Sequence, residues 1–342
     1  MNGNITTFTR DQLHDRHRLS HQQIDHLLGE NRCKEFVHEK LKQLDAVKNF
    51  LSVTDLLSQN GISFVCLKGQ LLSYRIYGDP TVRVTHDIDI LIETIEIEHV
   101  IEILFKNGYQ LTAGFNWPKK RVQQEMILTS QQHLSFHHTK SNFYVEVHWI
   151  IIQGVPISVK MQQEIIAANL TEINFAGRKF TTLTKEFELL FLIIHGARHG
   201  WNRLKWLIDI NEYPVKEIDE VIFLRLVGQL KAERIVGQVN YLLNEFFNTK
   251  FPFKGDDHYH PYLNHYALQA IDNEIHILHS IREYICKYRY EWLMFPGLYH
   301  KFKTISRVMY RPPDIALIDS SFKIVYFIYR PYGLIKRRLF HA

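Results

Sequence analysis

The feature that most constrains the fold of this sequence is a strand-like run with two aspartates on one face. Residues two apart in a strand point to the same side of a sheet, so Asp87 and Asp89 are expected together, while Ile88 and Ile90 face a core. Two carboxylates at that spacing repel each other, and a hard divalent cation with oxygen ligands removes the repulsion. A solvated strand end without metal is the alternative interpretation of this run alone.

The residues before the aspartates have the pattern of a strand, a turn and a helix. Residues 62–67 are an apolar run typical of a buried strand, and residues 70–77 have the apolar spacing of a short helix. Between them lies Lys68-Gly69, where a glycine lets backbone N–H groups approach phosphate oxygens at a helix N-terminus. The turn is therefore a candidate phosphate-binding site.

Two cations near this turn have two interpretations each. Arg83 lies four residues before Asp87, and its guanidinium is predicted either to hold a phosphate or to pair with Asp79 at the surface. Lys68 is likewise predicted either to bind a phosphate or to form a structural ion pair. A phosphate contact at either position would extend a metal site to a nucleotide.

A β-hairpin is predicted after the carboxylate strand. Residues 132–138 and 143–149 alternate between polar and apolar, and a polar segment, residues 139–142, separates them. Glu146 and His148 share one face of the second strand. Burying Glu146 is costly unless its charge is neutralised, and a metal shared with the two aspartates would neutralise it. A solvent-exposed face is the alternative.

An apolar helix is predicted over residues 184–199. His195 and His199 lie one turn apart near its end, a spacing that can ligate zinc. The sequence around them lacks the glutamate and the third ligand of a metalloprotease site. Hydrogen bonding to substrate or within the protein is the preferred interpretation of both histidines.

A second helix is predicted over residues 201–213. Lys205 and Asp209 lie one turn apart in it, which predicts an ion pair at the surface or between domains. Two further helices are predicted on either side of residues 231–233. The C-terminal half of the chain is therefore expected to be mainly helical.

The composition is that of an ordinary globular protein whose cysteines are expected to be reduced. The 342 residues are 46% hydrophobic, which is enough for a large core in two domains or in one domain with a helical extension. Cys33, Cys66 and Cys286 are widely spaced and odd in number, which argues against a disulfide framework or a cysteine-rich zinc site. A cytoplasmic location is predicted.

The N-terminal segment and the apolar runs argue against export and against a membrane span. Residues 1–20 are polar, are predicted to be loosely ordered, and contain no uninterrupted apolar stretch of the kind found in signal peptides. No segment reaches the roughly 18 apolar residues that a membrane helix needs. Neither a secreted nor an integral membrane protein is expected.

The positive charge of the chain is concentrated at its end. Residues 281–342 hold 12 Lys and Arg against 4 Asp and Glu. The last part, residues 320–342, is predicted either as a packed C-terminal helix or as a basic amphipathic segment on an anionic membrane or on RNA. The packed helix is favoured, because Arg330-Pro331 interrupts a short apolar run.

The motifs taken in order resemble a known family. The series is L-K-G, then Y-x-D-P-x-x-R, then D-I-D-I-L, then V-E-V-H-W, then a helical H-G-x-x-H-x-W-x-R-L-x-W-L-x-D-I, and it spans residues 62–212. It resembles the bacterial nucleotidyltransferase-like family of the DNA polymerase β superfamily, many of whose members have no assigned substrate. The resemblance implies an α+β fold with a polymerase-β-like mixed sheet flanked by helices and a mainly helical C-terminal region.

Three segments are predicted on this basis. They are N-terminal helices over residues 1–60, a nucleotidyltransferase-like α/β core over residues 61–182, and a helical C-terminal region with a basic aromatic tail over residues 183–342.

The resemblance also implies three groups of site residues. The catalytic and metal-binding group is Asp87, Asp89 and Glu146. The nucleotide- or phosphate-binding group is Lys68, Gly69 and Arg83. The candidates for a substrate cleft are His148, His195, Arg198, His199 and Lys205. The implied cofactor is Mg²⁺, with Mn²⁺ as the alternative.

One motif departs from the wider superfamily. Where the superfamily has Gly-Ser or Gly-Gly at the start of the nucleotide-binding helix, this sequence has Lys68-Gly69-Gln70, and the interval from Gly69 to Asp87 is longer than usual. The departure weakens the prediction that this turn binds a triphosphate. It does not affect the predicted metal-binding carboxylates.

The function that the resemblance implies is Mg²⁺-dependent transfer of a nucleoside monophosphate from an NTP, such as ATP, to an acceptor hydroxyl with release of pyrophosphate. The acceptor is a small molecule, a peptide or an RNA end, and the sequence does not choose among them. The alternative is a catalytically inactive nucleotide- or partner-binding protein that keeps the fold. The three carboxylates favour the enzyme, and the altered turn favours the alternative.

Overall fold

The structure of the chain is a computed structural model. It describes residues 4–112, 114–152, 154–253, 260–273 and 281–298, and beyond these only positions 300, 301, 304, 315, 320, 322, 324–326, 328 and 329. Most of the predicted basic tail, residues 320–342, therefore lies outside the described residues. None of the helices within the described ranges has the length and apolar character to cross a membrane.

The strands of the described residues form one mixed sheet. In chain order they are β1 (Phe64–Cys66), β2 (Asp87–Ile92), β3 (Tyr109–Leu111), β4 (His133–His138), β5 (Phe143–His148), β6 (Leu170–Phe175) and β7 (Arg178–Leu183). Across the sheet the order is β3-β4-β5-β2-β1-β7-β6. The aspartate strand β2 lies at the centre, antiparallel to β1 and parallel to β5.

Helices flank this sheet and form the C-terminal half of the described chain. They are α1 (His21–Leu28), α2 (Cys33–Gln59), α3 (Gly69–Tyr77), α4 (Ile97–Lys106), α5 (Arg121–Ser130), α6 (Val159–Ala167), α7 (Lys185–Arg198), α8 (Leu204–Asn211), α9 (Glu220–Leu230), α10 (Glu233–Phe247), α11 (Pro261–Asp272) and α12 (Ile281–Met294). The predicted α+β class is confirmed. The division into segments at residues 60 and 182 stays a prediction.

One face of the sheet packs against α2 and α4. Ile88 and Ile90 of β2 point to this face and are 1% and 0% exposed. Val145 and Val147 of β5 lie beside them in register, and Leu57 of α2 belongs to the same cluster. Since side chains alternate between the faces of a strand, the aspartates of β2 point to the opposite face.

The opposite face of the sheet is covered by C-terminal helices. Leu91 of β2 and Leu183 of β7 share a cluster with α7, in which residues 187–194 are all buried. Apart from Glu188 this run is apolar on all sides, which is typical of a helix inside a protein rather than at its surface. The two aspartates therefore lie between the sheet and the helical region.

The N-terminal residues pack against that helical region. Leu13 and Leu19 are fully buried, and Nδ1 of the buried His17 accepts a hydrogen bond from the backbone N of Leu204 at 3.2 Å. The prediction of a loosely ordered N-terminus is therefore wrong for residues 4–20. Their few apolar residues follow no helical or strand period, and the His17 contact reaches a part of the chain 187 residues away.

Candidate active site

The three predicted carboxylates lie on two neighbouring parallel strands. Asp89 of β2 pairs in register with Glu146 of β5, and Asp87 pairs with Tyr144. Side chains at paired positions lie on the same face of a sheet, and alternate residues of one strand share a face. The structure thus brings Asp87, Asp89 and Glu146 to one patch of the sheet, beneath the C-terminal helices.

Asp89 is the most enclosed of the three carboxylates. It is 5% exposed, its Oδ2 lies 3.3 Å from Nζ of Lys68, and its Oδ1 lies 3.0 Å from Nε2 of His148. Burial alone would raise the pKa of Asp89, but the Lys68 ammonium and the His148 hydrogen bond bring it well below its usual range. Asp89 is therefore ionised, and two cationic or hydrogen-bonding groups hold it in place.

Asp87 has the opposite electrostatic environment. Burial and the neighbouring charge of Asp89 raise the pKa of Asp87, and Lys68 offsets only part of this effect. The two pKa values move in opposite directions because the nearby positive charge does not fully offset the repulsion between the two carboxylates. This patch is the place where a bound cation would relieve the repulsion.

Glu146 lies between hydrogen-bonding groups of the hairpin. Its Oε2 lies 3.4 Å from Nε2 of His148 and 3.8 Å from Nε2 of His133, and its Oε1 accepts a hydrogen bond from Oγ of Ser135 at 3.4 Å. Burial raises the pKa of Glu146, and the contact with His148 lowers it below its usual value. His133, Glu146 and His148 are close enough together to hold one metal ion.

Sequence reasoning missed His133, although the sequence contained the signal. His133 pairs with His148 across the hairpin, and Ser135 pairs with Glu146. The four-residue turn at residues 139–142 sets this register, because counting outward from it pairs each residue of β4 with one of β5. Burial and the charge of His148 lower the pKa of His133 to about 4, so its imidazole is neutral and available as a ligand at neutral pH.

The Lys68-Gly69 turn lies beside the start of β2, as its place in the motif series requires. Gly69 has φ +68°, a left-handed conformation that favours glycine, and a Cβ there would lie 3.7 Å from Cγ2 of Thr85 and 3.9 Å from the carbonyl oxygen of Asp87. The N-terminus of α3 is therefore next to the aspartates. Lys68 itself pairs with Asp89.

Arg83 has a partner that the sequence did not suggest. Its Nε lies 3.0 and 2.9 Å from the two carboxylate oxygens of Asp209 on α8, and both residues are buried. Of the two interpretations of Arg83, the surface pair with Asp79 is wrong, since Asp79 accepts hydrogen bonds from Lys40 and Thr81 instead. A phosphate contact of Arg83 stays a prediction. Arg83 therefore ties the loop before β2 to the helical region.

Lys205 lies against the same loop. Its Nζ donates to the carbonyl oxygen of Val84 at 3.4 Å. Burial and the charge of Arg83 lower the pKa of Lys205 to about 7. The surface alternative for the Lys205–Asp209 pair is wrong, because Asp209 is fully buried. The Asp209 carboxylate engages Arg83, and its charge also raises the pKa of Lys205.

The remaining cleft candidates cluster at the end of α7. The rings of His195 and His199 are 4.7 Å apart, and the His199 ring stacks on Trp206 at 4.8 Å. Burial and the nearby charge of Lys68 lower the pKa of His195 well below its usual value. Nη1 of Arg198 donates to Oε1 of Gln132 at 2.8 Å, which joins α7 to the residue before β4.

A buried polar network behind the turn also escaped sequence reasoning. Oε2 of Glu188 on α7 accepts hydrogen bonds from Nη1 of Arg75 at 2.9 Å and from the hydroxyl of Tyr213 at 2.7 Å. Burial raises the pKa of Glu188, and Arg75 offsets part of that effect. The network fastens α3, and with it the Lys68-Gly69 turn, to α7.

The family comparison identifies the class of this protein. A model of nucleotidyltransferases matches residues 17–248, which is more than half of the chain, so the chain is a nucleotidyltransferase. It belongs to the family described as "uncharacterised nucleotidyltransferase". The resemblance found in the motif series is thereby confirmed, together with the expectation of an enzyme of this class.

Two solved structures have partial similarity to this chain. One is a lincosamide antibiotic adenylyltransferase, LnuA, with lincomycin bound, at 20% identity and TM-score 0.35, covering 50% of this chain and 97% of that one. The other is an antigenic nucleotidyltransferase-like protein from Paracoccidioides brasiliensis, at 15% identity and TM-score 0.30, covering 55% of this chain and 88% of that one. No curated protein matches. Because both TM-scores are below 0.5, the assignment rests on the family match.

Proposed function

We propose that this nucleotidyltransferase transfers a nucleoside monophosphate from an NTP to a hydroxyl group of an acceptor, with a divalent ion held by Asp87, Asp89 and Glu146. The observation that supports the proposal most is the parallel register of Asp89 with Glu146, with Asp87 two residues away on the same face. Carboxylate oxygens are the ligands that a hard divalent cation prefers, and three of them lie on one face of the sheet. Mg²⁺ is the proposed ion, and Mn²⁺ is the alternative because two imidazoles adjoin the carboxylates.

The electrostatics of the patch support this fit. Asp87 has a raised pKa because burial and Asp89 disfavour its charge, while Lys68 is the cation within ion-pair distance of Asp89. A bound divalent ion would supply the missing positive charge, neutralise the triphosphate and polarise the acceptor hydroxyl. The residues present are therefore suited to the ion that the family implies.

The chain's own groups have separate parts in the proposed reaction. The acceptor oxygen attacks the α-phosphorus, a new P–O bond forms, the bond to the β-phosphate oxygen breaks, and pyrophosphate leaves. Glu146 accepts the hydroxyl proton, since its side chain is 26% exposed and an acceptor can reach it. Backbone N–H groups at the Gly69 turn and the Lys68 ammonium contact donor phosphates. Arg83 positions the loop before Asp87 through Asp209.

A cytoplasmic location belongs to the same proposal. An NTP donor is a cytoplasmic metabolite, and Cys66 and Cys286 are both free thiols, as expected in a reducing compartment. The acceptor is proposed only as a hydroxyl-bearing compound.

Thermal-shift titration with each NTP, with and without Mg²⁺, tests the proposal. The wild type should be stabilised by one or more NTPs only when Mg²⁺ is present, because the metal joins the carboxylates to the triphosphate. Asp89→Asn and Glu146→Gln should lose that stabilisation and the release of pyrophosphate in a mixture of hydroxyl acceptors.

The matched control is Glu172→Gln, which removes an exposed carboxylate paired with Lys179 far from the patch. It should behave as the wild type. Equal stabilisation of wild type and Asp89→Asn by NTP without metal would support the non-catalytic nucleotide-binding alternative instead.

A further inference from the structure

Two histidines lie beside Glu146 on the face of the sheet that carries the carboxylates. His133 of β4 pairs with His148 of β5, and Ser135 of β4 pairs with Glu146, so these four side chains share one face of the hairpin. His133, Glu146 and His148 each offer one ligand atom, and these atoms all lie within 4.8 Å of one another. We call these three residues the imidazole site.

The distances within the imidazole site are close to those between the ligands of one ion. Oε2 of Glu146 lies 3.4 Å from Nε2 of His148 and 3.8 Å from Nε2 of His133. Oδ1 of Asp89 lies 3.0 Å from Nε2 of His148 and adds a carboxylate at the edge of the group. Around a tetrahedral ion with bonds of about 2.0–2.1 Å, the ligand atoms are about 3.3 Å apart. The measured separations lie on either side of this value, so small side-chain movements would bring the atoms to a common ion.

Hydrogen bonding does not account for the position of His133. Its Nε2 lies 3.8 Å from the Glu146 carboxylate, which is beyond hydrogen-bond distance, and its Nδ1 is buried without a hydrogen-bond partner among the described residues. Buried polar groups normally have a partner, and an exception indicates a bound ion or water. An ion at Nε2 would supply one of the partners that this imidazole lacks.

The imidazole site is open on one side. The side chains of His133 and Glu146 are 30% and 26% exposed, whereas that of His148 is 8% exposed. An ion held here would keep coordination positions for water or for a substrate oxygen, as catalytic metal sites do. Oε1 of Glu146 accepts a hydrogen bond from Oγ of Ser135 at 3.4 Å, and a contact of this kind orients a ligating carboxylate.

The donor atoms of the imidazole site favour a first-row transition metal over Mg²⁺. Mg²⁺ takes oxygen ligands in octahedral geometry and usually keeps several waters. Imidazole nitrogen suits Zn²⁺ and Fe²⁺, and two imidazoles with one carboxylate are a common ligand set for such ions. The two aspartates of β2 offer oxygen alone and remain suited to the hard ion of the proposed function.

We propose that His133, Glu146 and His148 bind a first-row transition-metal ion of the Zn²⁺ or Mn²⁺ type. It is a second ion beside the one at Asp87 and Asp89, with Glu146 shared between the two. The inference rests on the proposed function for the part that this ion has in the reaction, which is to hold an oxygen of the acceptor or of the donor phosphate. Binding of the ion itself requires only the hairpin residues.

Isothermal titration of the full chain with Zn²⁺ and, separately, with Mg²⁺ tests the proposal without any nucleotide. The wild type should bind Zn²⁺ about tenfold or more tightly than Mg²⁺. His133→Gln should lose about tenfold or more in Zn²⁺ affinity and keep its Mg²⁺ affinity within about twofold. Because the His133 side chain is 30% exposed, the variant should fold, and its Tm in EDTA should equal that of the wild type.

Two other histidine variants serve as controls. His138→Gln changes a histidine of the same strand β4 on the other face of the sheet, where its ring contacts Ser141. His14→Gln alters a second group with ligand spacing in the described chain, formed by His14, His21 and Glu39. Both variants should bind Zn²⁺ at the tight site as the wild type does.

Co²⁺ provides a readout of the ligands themselves. The visible absorption bands of bound Co²⁺ depend on which atoms surround it, so the loss of an imidazole ligand changes them. The Co²⁺ spectrum of His133→Gln should therefore differ from that of the wild type, and the spectrum of His138→Gln should not. Identical spectra for the wild type and His133→Gln would overturn the proposal.

The outcomes also separate this proposal from the proposed function. Zn²⁺ affinity no higher than that for Mg²⁺, equal Zn²⁺ affinities of His133→Gln and His138→Gln, or a loss confined to His14→Gln would overturn the imidazole site. If the wild type binds Zn²⁺ through His133 but no NTP stabilises it with Mg²⁺, the imidazole site stands and the proposed function fails. Unchanged Zn²⁺ binding in Asp87→Asn, together with loss of Mg²⁺-dependent stabilisation by NTP, would support two separate ion positions.

Discussion

Nε of Arg83 lies within 3.0 Å of both carboxylate oxygens of Asp209, and the two residues are buried although 126 positions separate them in the chain. The backbone N of Arg83 also donates to Oγ of Ser73 on α3 at 3.1 Å. The loop that leads to Asp87 is thus fixed from two directions, by α3 and by α8. The position of the candidate metal-binding carboxylates therefore depends on a helix outside the sheet.

Asp209→Asn should strongly destabilise the protein. It leaves the Arg83 guanidinium buried without a countercharge, which typically costs about 3–5 kcal/mol. Urea unfolding followed by circular dichroism measures the effect. Arg178→Gln breaks an exposed pair with Asp55 and should cost less than about 1 kcal/mol; similar losses in the two variants would contradict the structural importance of the buried pair.

The local geometry of the candidate site follows from the sequence, because it depends on short-range periodicity. Alternation within β2 and β5 predicts which residues share a face, so the residue pattern is enough to group Asp87 with Asp89 and to place Glu146 on a single face of its strand. The same counting across the hairpin turn would have paired His133 with His148. These relationships need only the strand period and a turn length.

The supports of the site do not follow from the sequence. Arg83 finds Asp209, and Arg75 finds Glu188 at a separation of 113 residues. No local pattern distinguishes these partners from other charged residues, since their pairing depends on how α7 and α8 dock on the sheet. The packing of the N-terminal residues around His17 was missed for the same reason.

Asp87→Asn should stabilise the metal-free protein, whereas Asp89→Asn should destabilise it. Burial and Asp89 disfavour the charge of Asp87, and a neutral amide removes that repulsion, with an expected gain of about 1 kcal/mol. Asp89 instead accepts stabilising contacts from Lys68 and His148, and its loss leaves them without a countercharge. Thermal unfolding in EDTA measures both effects, and a change of the same sign in the two variants would argue against this division of roles.

Gly69→Ala should weaken NTP binding beyond its effect on stability. A Cβ at residue 69 meets only ordinary contacts, so the cost arises from φ +68° and is about 1 kcal/mol. Gly78→Ala provides a matched control, because Gly78 has φ +69° and open space around it at the other end of α3. Both variants should lose similar stability in urea. If NTP affinity with Mg²⁺ falls equally in both, the turn has no special part in phosphate binding.

Acidification from pH 7 to pH 5 should destabilise the protein through His17. Burial, with a smaller effect of Arg16, lowers the pKa of His17 to about 3, and its Nδ1 accepts a hydrogen bond from the backbone N of Leu204. Since the folded pKa lies below the unfolded value, the stabilisation is complete above about pH 6.5 and is lost as the pH falls toward 3, by about 2 kcal/mol at pH 5. His17→Asn keeps an acceptor near the Nδ1 position and cannot be protonated, so its unfolding free energy should vary less between pH 7 and pH 5 than that of the wild type. His265→Asn changes an exposed histidine on α11 and should leave the wild-type pH dependence in place; a pH dependence of His17→Asn as steep as that of the wild type would show that another group is responsible.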